Sequence, residues 1–210
     1  MTCKAASRLW VGRILNGTDA EGPGRRYGIW VQGCTIRCIG CFNPHMWSAR
    51  GGQDIDCQVL LTDIVTSQVE GITFLGGEPF EQAAAAADVA EGTRAAGLSV
   101  MTFTGFTLEH LMQVEDTATE RLLSATDLLV DGPYDASRTD LSRPWVGSTN
   151  QRFHFLTERY DHLRDNLNLV PDRIEVRVSP NGTIAVNGWA EVDALETLLD
   201  GLGARPPLRS

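Results

Sequence analysis

The chain has 210 residues, 42% of them hydrophobic and 21% charged, which is enough for one substantial core and typical of a globular rather than a disordered protein. Its formal net charge of −9, with Lys4 the only lysine, argues against direct binding of nucleic acid or an anionic membrane, and its apolar runs are too short to cross a bilayer. Without a secretion-like leader the cytoplasm is the expected compartment, where the five cysteines point to reduced thiols, metal ligation or catalysis rather than to disulfides.

Leu9-Trp10-Val11 and Arg13-Ile14-Leu15 read as a short leading strand, closed by a turn-rich run from Asn16 to Gly24. Tyr27 to Gln32 reads as a core strand that points at a cysteine-rich loop. Between Cys57 and Ser67, the positions of Val59, Leu60, Ile64 and Val65 suit a helix. Gly71 to Leu75 follows as a strand that empties into Gly76-Gly77-Glu78-Pro79. An alanine-rich helix over roughly Glu81 to Ala96 stops at Gly97, Leu98 to Phe103 is the next strand, and polar helical segments fill about Thr107 to Ser124. Asp127 to Asp131 is a further strand, ending at Gly132-Pro133. These crossovers imply an α/β fold with a mainly parallel sheet and outer helices.

A long loop is expected from Tyr134 to Asn150. After it, Leu156, Tyr160, Leu163 and Leu167 recur at helical spacing, with Arg152 to Phe155 suited to an extended segment. Ile174 to Val178 and Thr183 to Val186 alternate around Asn181-Gly182, a hairpin signal. Trp189 to Leu199 reads as a closing helix. Residues 1–210 are expected to form one domain, with 171–210 as a C-terminal elaboration of it.

Cys34, Cys38 and Cys41 form a Cys-x3-Cys-x2-Cys run, while Cys3 and Cys57 stand alone, the first at the terminus and the second on a helix face that packs into the core. Three soft thiolates suit three irons of a four-iron cluster. Zinc needs a further ligand or an open catalytic position, and His45 is the nearby candidate; unliganded structural cysteines are a third reading. Gly76-Gly77-Glu78-Pro79 is either a sharp strand-to-helix turn or a place where a ligand meets close backbone and a carboxylate.

The cysteine run resembles the signature loop of the radical S-adenosylmethionine superfamily. Glu21 to Arg25, Gly28 to Gly33, Cys41-Phe42-Asn43-Pro44 and Gly147 to Arg152 resemble, in particular, the activating proteins of anaerobic ribonucleotide reductases and related glycyl-radical enzyme activases. The resemblance runs from about Leu9 to Tyr160. Two positions depart from the pattern: Gly40 stands where the superfamily often has an aromatic residue, and Thr149 replaces a serine.

For the fold, the implication is an incomplete, TIM-like barrel, since the chain is shorter than an eight-unit barrel, followed by the C-terminal hairpin and helix. For the chemistry, the resemblance implies a [4Fe-4S] cluster on Cys34, Cys38 and Cys41 whose open iron binds S-adenosylmethionine. A cellular one-electron donor would reduce the cluster, and cleavage of the cofactor would give methionine and a 5′-deoxyadenosyl radical. That radical would take hydrogen from a glycine of a glycyl-radical enzyme such as anaerobic ribonucleotide reductase. Cofactor contacts are implied at Gly76, Gly77, Glu78, Pro79, Thr102, Thr104, Asp131 and Asn150, with no catalytic side chain assigned beyond cluster and cofactor. Arg25 either approaches the cofactor or secures the acidic N-terminal loop. The competing functions are a radical enzyme acting on a small metabolite or modified peptide, and a noncatalytic iron–sulfur electron carrier. The carrier explains the cysteines but not the glycine–glutamate–proline loop.

Overall fold

The computed structural model describes residues 7–140, 142–171, 174–178, 182 and 184–188; Cys3 and the expected helix from Trp189 to Leu199 lie outside them. Strands β1 (Arg8–Thr18), β2 (Arg26–Val31) and β3 (Gln53–Asp56) open the chain. Helix α1 (Cys57–Thr66), β4 (Gly71–Gly76), α2 (Ala83–Ala95) and β5 (Ser99–Phe103) follow. Helices α3 (Leu108–Gln113) and α4 (Thr117–Ala125) lead to β6 (Leu128–Asp131) and β7 (Arg152–Phe155). Finally, β8 (Ile174–Val178) and β9 (Ile184–Gly188) pair as a separate antiparallel hairpin.

Seven strands form one sheet in the order β3-β1-β2-β4-β5-β6-β7. Its centre, β2-β4-β5-β6, is parallel, as the strand–helix rhythm demands. The borders are antiparallel: β1 pairs with both β2 and β3 on one side, and β7 pairs with β6 on the other. The sequence pattern does not announce β3, because Gln53-Asp54-Ile55-Asp56 is polar at three of four positions. The helical spacing after Phe155 also resolves differently, into 3-10 turns at Glu158–Leu163 and Leu167–Leu169. Tyr160 leaves helical geometry within the first turn, at φ −117°. Its buried hydroxyl donates to Ser99 Oγ at 2.6 Å and accepts from Arg26.

Side-chain alternation gives the sheet two faces. Tyr27, Ile29, Val31, Ile72, Phe74, Val100 and Leu129 pack with α1, α2 and α4 in the main core. Leu60 and Ile64 seal α1 onto it, and full burial of each contributes about 1.5–3 kcal/mol. Ala83, Ala86, Ala87 and Ala90, all buried, give α2 a narrow inner stripe that lets it lie close to its neighbours. The helices start on side-chain caps: Asp56 accepts from the Gln58 and Val59 amides, Thr107 from His110, and Asp116 from Thr119. Trp30, Leu75, Met101, Phe103, Leu128 and Val130 face the other way, and of these Trp30, Leu75 and Phe103 reach the cavity described next. Among the described residues no helix is long and apolar enough to cross a membrane.

Candidate functional site

A cavity of about 540 Å³ lies on the sheet face opposite the helices. Arg13, Trp30, Leu75 and Phe103 rise from β1, β2, β4 and β5 to line it. They form a row across the sheet, since Arg13 pairs with Trp30 and Trp30 with Leu75. The mouth is made by the loops that leave the carboxyl ends of the parallel strands, the place where open α/β sheets bind ligands.

The loop after β2 carries the three cysteines. It is closed at its base, where Gly33 N donates to the Met46 carbonyl at 2.8 Å and Cys34 N to the Trp47 carbonyl at 3.1 Å. Cys34, Cys38 and Cys41 are all half-buried free thiols that line the cavity. Cys41 Sγ accepts from the Asn43 amide at 3.4 Å, and the backbone at Ile36 and Arg37 favours the Cys34 thiolate as that at Tyr134 favours the Cys38 thiolate. Such N–H to sulfur bonds are the polar surroundings that iron-bound thiolates use to set cluster potential. Burial pushes the Cys34 and Cys38 thiols up, a penalty on the thiolate that metal ligation offsets.

The zinc alternative gains no ligand from His45, which is exposed on the turn Pro44–Met46 and outside the cavity. Among the described residues no three histidine, cysteine or acidic side chains converge as they do round a single ion. A cluster spreads its thiolates over separate irons, so the donor set fits the group. Gly40 also acquires a reason. At φ +78° it occupies the left-handed region, and a Cβ there would stand 2.9 Å from Ala136 Cβ and 3.4 Å from the Tyr134 ring. The aromatic surface missing at this position is supplied by Phe42 and Tyr134, whose ring centroids are 4.8 Å apart.

The Gly76-Gly77-Glu78-Pro79 loop docks directly on the cysteine loop. Gly77 N donates to the Val31 carbonyl and Glu78 N to the Gly33 carbonyl, both at 2.8 Å. Beyond it, Thr35 N donates to Glu81 Oε1 at 2.9 Å, and Gln82 Nε2 donates to the Gln32 carbonyl at 2.9 Å. Glu78 is buried at the cavity wall and accepts from Phe80 N at 3.0 Å, Thr104 Oγ1 at 2.9 Å and Gly105 N at 2.9 Å. Burial pushes its carboxyl up to about 7 against these donors.

The expected site residues therefore divide. Cys34, Cys38, Cys41, Gly76, Gly77, Glu78 and Thr104 share one cavity. Pro79 is buried behind them, opening the 3-10 turn Pro79–Gln82. Asn150 sits just outside: its Nδ2 donates to the Pro133 carbonyl at 2.7 Å, and its buried Oδ1 has no hydrogen-bond partner among the described residues. Its neighbour Gln151 lines the cavity and accepts from the Gly147 amide at 2.8 Å.

Thr102 and Asp131 are not brought to the cavity. Both sit on the helix-facing side of their strands. Thr102 is fully buried and exchanges a hydrogen bond with Thr126 at 2.9 Å. Asp131 accepts from Leu108 N at 2.7 Å, at the start of α3, and from the Arg152 guanidinium, with His154 Nε2 at 3.0 Å. Burial alone raises the Asp131 carboxyl, but Arg152, Leu108 and His154 outweigh it and hold the group below its usual range. Arg25 is also elsewhere, 4.0 Å from Asp19 on the N-terminal loop.

A model of the 4Fe-4S single cluster domain matches residues 20–154. The anaerobic ribonucleoside-triphosphate reductase-activating protein of Vibrio cholerae is 30% identical over 147 residues, spanning 65% of this chain and 92% of that protein. The chain belongs to this iron–sulfur activase family. The activating protein of Pasteurella multocida is likewise 30% identical, covering 66% of this chain and 92% of its own, and that of Enterobacteria phage T4 is 29% identical, covering 67% and 90%. The solved structure of QueE from Escherichia coli overlaps 48% of this chain and 53% of its own at a TM-score of 0.40 and 16% identity.

The match to the 4Fe-4S single cluster domain ends at residue 154, before the hairpin, yet the cavity does not. Val186, Asn187 and Gly188 of β9 line it too, beside Arg13 and Glu21. Motif reading misses Arg13 and Asn187, because neither belongs to a recognisable run, and it takes Glu21 only as part of the Glu21–Arg25 block; fold-level contact between the hairpin and β1 gathers the three. Burial pushes the Glu21 carboxyl up and the Arg13 guanidinium down.

Proposed function

We propose that this chain is a radical S-adenosylmethionine activase that abstracts hydrogen from a glycine of an anaerobic ribonucleotide reductase. The observation that carries the reading is the meeting of three cluster-spaced cysteines and the Gly76–Glu78 turn on one cavity. It is supported by membership of a 4Fe-4S family and by relatives named for activating that reductase. Cys34, Cys38 and Cys41 would hold the irons of the cluster. When bound, the cluster and S-adenosylmethionine supply one-electron cleavage and the radical that takes the glycine hydrogen.

The chain's own contribution is position and polarity. Gly76 and Gly77 let the backbone approach the cofactor, Glu78 gives its amino group a negative partner, and Thr104 fixes the carboxylate by hydrogen bonding. Asn150 Oδ1 offers an unused acceptor beside the mouth. Trp30, Leu75 and Phe103 make a dry floor that keeps water from the radical. The sheet is read as part of an incomplete barrel in a single domain of the cytoplasm, with the β8–β9 hairpin as its elaboration. Its partners are the reductase and a one-electron donor.

Anaerobic reconstitution with iron and sulfide, followed by incubation with reductant, S-adenosylmethionine and the reductase from the same genome, tests the assignment. A persistent glycyl radical on the reductase, seen by electron paramagnetic resonance, is the expected result. Cofactor cleavage that leaves no radical on the reductase overturns it.

A further inference from the structure

Asn187 is 4% exposed, and neither its Nδ2 nor its Oδ1 has a hydrogen-bond partner among the described residues. A buried amide with both ends unpaired is costly unless something else completes it. This one lines the cavity that holds the three cysteines. The hairpin that carries it is firmly placed: Asp19 N donates to Glu175 Oε1 at 2.7 Å, Gly188 N to Glu21 Oε1 at 3.3 Å, and the Arg177 guanidinium to the Gly17 carbonyl. Glu175 is the cross-strand partner of Asn187, so the anchored residue and the unpaired amide are fixed together.

The hairpin is anchored at and just after the end of β1, and because β1 runs antiparallel to β2, with Thr18 opposite Arg26, this anchor lies at the amino ends of the parallel strands. The cysteine and Glu78 loops leave the carboxyl ends, the length of β2 away, roughly 17 Å. A cofactor held between the cysteines and Glu78 therefore leaves the Asn187 side for a second ligand. That side offers a donor in Arg13, an acceptor in Glu21, and both in Asn187. A side-chain amide presenting N–H and C=O together is the complement of a peptide group, which presents the same pair reversed. Extended backbone repeats that pair along its length, and a glycine within it adds no side chain to obstruct approach.

We propose that Asn187 hydrogen-bonds the main chain of the extended glycine-bearing segment of the target protein and, with Arg13 and Glu21, forms the peptide subsite of the cavity. This rests on the activase reading and specifies how its substrate is held. Because the hairpin lies beyond residue 154, outside the family match, the Asn187 contribution to the subsite comes from this chain's C-terminal part.

The test uses the reconstituted full-length holoenzyme and a synthetic peptide spanning the radical glycine of the same-genome reductase. Asn187→Leu keeps volume while deleting both polar atoms. The expected result is a KM for the peptide raised about tenfold or more, S-adenosylmethionine affinity measured without peptide within twofold of wild type, and a melting temperature equal or higher, since an unpaired buried amide has been replaced by an apolar group. An unchanged KM overturns the subsite. So does a fall in melting temperature, which marks a structural amide, or a loss of cofactor affinity, which marks recognition of the adenine edge instead. Asn187→Asp, which retains only acceptors, should likewise raise the peptide KM, and a wild-type KM in that variant also overturns the proposal. Wild-type enzyme that cleaves cofactor yet leaves no radical on intact reductase refutes the activase reading, whereas radical formation with an indifferent Asn187 refutes the subsite alone.

Discussion

Thr104 Oγ1 donates to Glu78 Oε1 at 2.9 Å, tying the loop after β5 to the loop after β4 at the wall of the cluster cavity. The neighbouring Gly105 amide donates to the other carboxylate oxygen at 2.9 Å. Glu78 thus carries a structural duty besides its proposed one, and its protonation state bears on both.

Burial pushes the Glu78 carboxyl up to about 7, against the hydrogen bonds from Phe80, Gly105 and Thr104. A cationic amino group beside it favours the charged form, so cofactor binding displaces a proton from Glu78 and strengthens as pH rises through about 7. The fold follows the opposite sign. Folded protein holds this proton more tightly than the unfolded chain, so the group's contribution to stability falls as pH rises from the ordinary glutamate range to about 7. Glu78→Gln removes both slopes and weakens S-adenosylmethionine binding about tenfold above neutral pH. Anaerobic calorimetric titration on either side of neutrality checks this, and a wild-type affinity flat across that range sinks the assignment.

The cysteines separate into ligands and packing. Alanine at Cys34, Cys38 or Cys41 should abolish the four-iron absorbance after reconstitution, with little change in the melting of the metal-free protein, because each thiol is only half-buried. Cys57 is 2% exposed within the main core. Its alanine variant should keep full iron content and lose about 1 kcal/mol to the small cavity created. Wild-type cluster spectra in all three loop variants would contradict the ligand assignment.

The parallel centre and the loops at its carboxyl ends were legible because strand–helix rhythm and glycine-rich exits are local signals. What misplaced Thr102 and Asp131 was neglect of strand parity. Thr102 is in phase with Val100, and Asp131 with Leu129, both of which face the helices; Phe103 and Val130 face the other way. The alternation is visible in the sequence, but deciding which phase faces the cavity requires knowing where the helices pack. The gathering of Arg13, Glu21 and Asn187 was hidden for a stronger reason. They meet through contacts spanning more than 150 residues of chain, such as Gly188 with Glu21, and no local pattern encodes that.

Gly77 tests the contact between the two ligand-bearing loops. A Cβ there would overlap the Gly33 carbonyl oxygen and stand 2.8 Å from the Val31 carbonyl oxygen. Both obstacles are backbone, which cannot swing aside as a side chain does. Gly77→Ala should therefore destabilise by about 1–3 kcal/mol and lower cluster incorporation by displacing Gly33 from beneath Cys34. Thermal melting and iron content should fall together; melting unchanged from wild type would mean that the loops tolerate separation.

Asp131 offers the sharpest contrast with Glu78, since structure places it in an ion network rather than at the cavity. Arg152 bridges it to Glu109, donating to Glu109 Oε1 at 2.9 Å and to Asp131 Oδ1 at 3.0 Å. The folded-state carboxyl is held below its usual range, with Arg152, Leu108 and His154 outweighing burial. Its stabilising contribution is therefore complete above the ordinary aspartate range and is lost as pH falls through the lower folded value. Asp131→Asn leaves the Arg152 donors facing an amide and should cost about 1–3 kcal/mol near neutral pH, while erasing this part of the acid-side slope. Cofactor affinity, measured anaerobically on the reconstituted variant, should stay within twofold of wild type. A tenfold loss of S-adenosylmethionine binding with unaltered melting would return Asp131 to the cofactor site and reject the structural role.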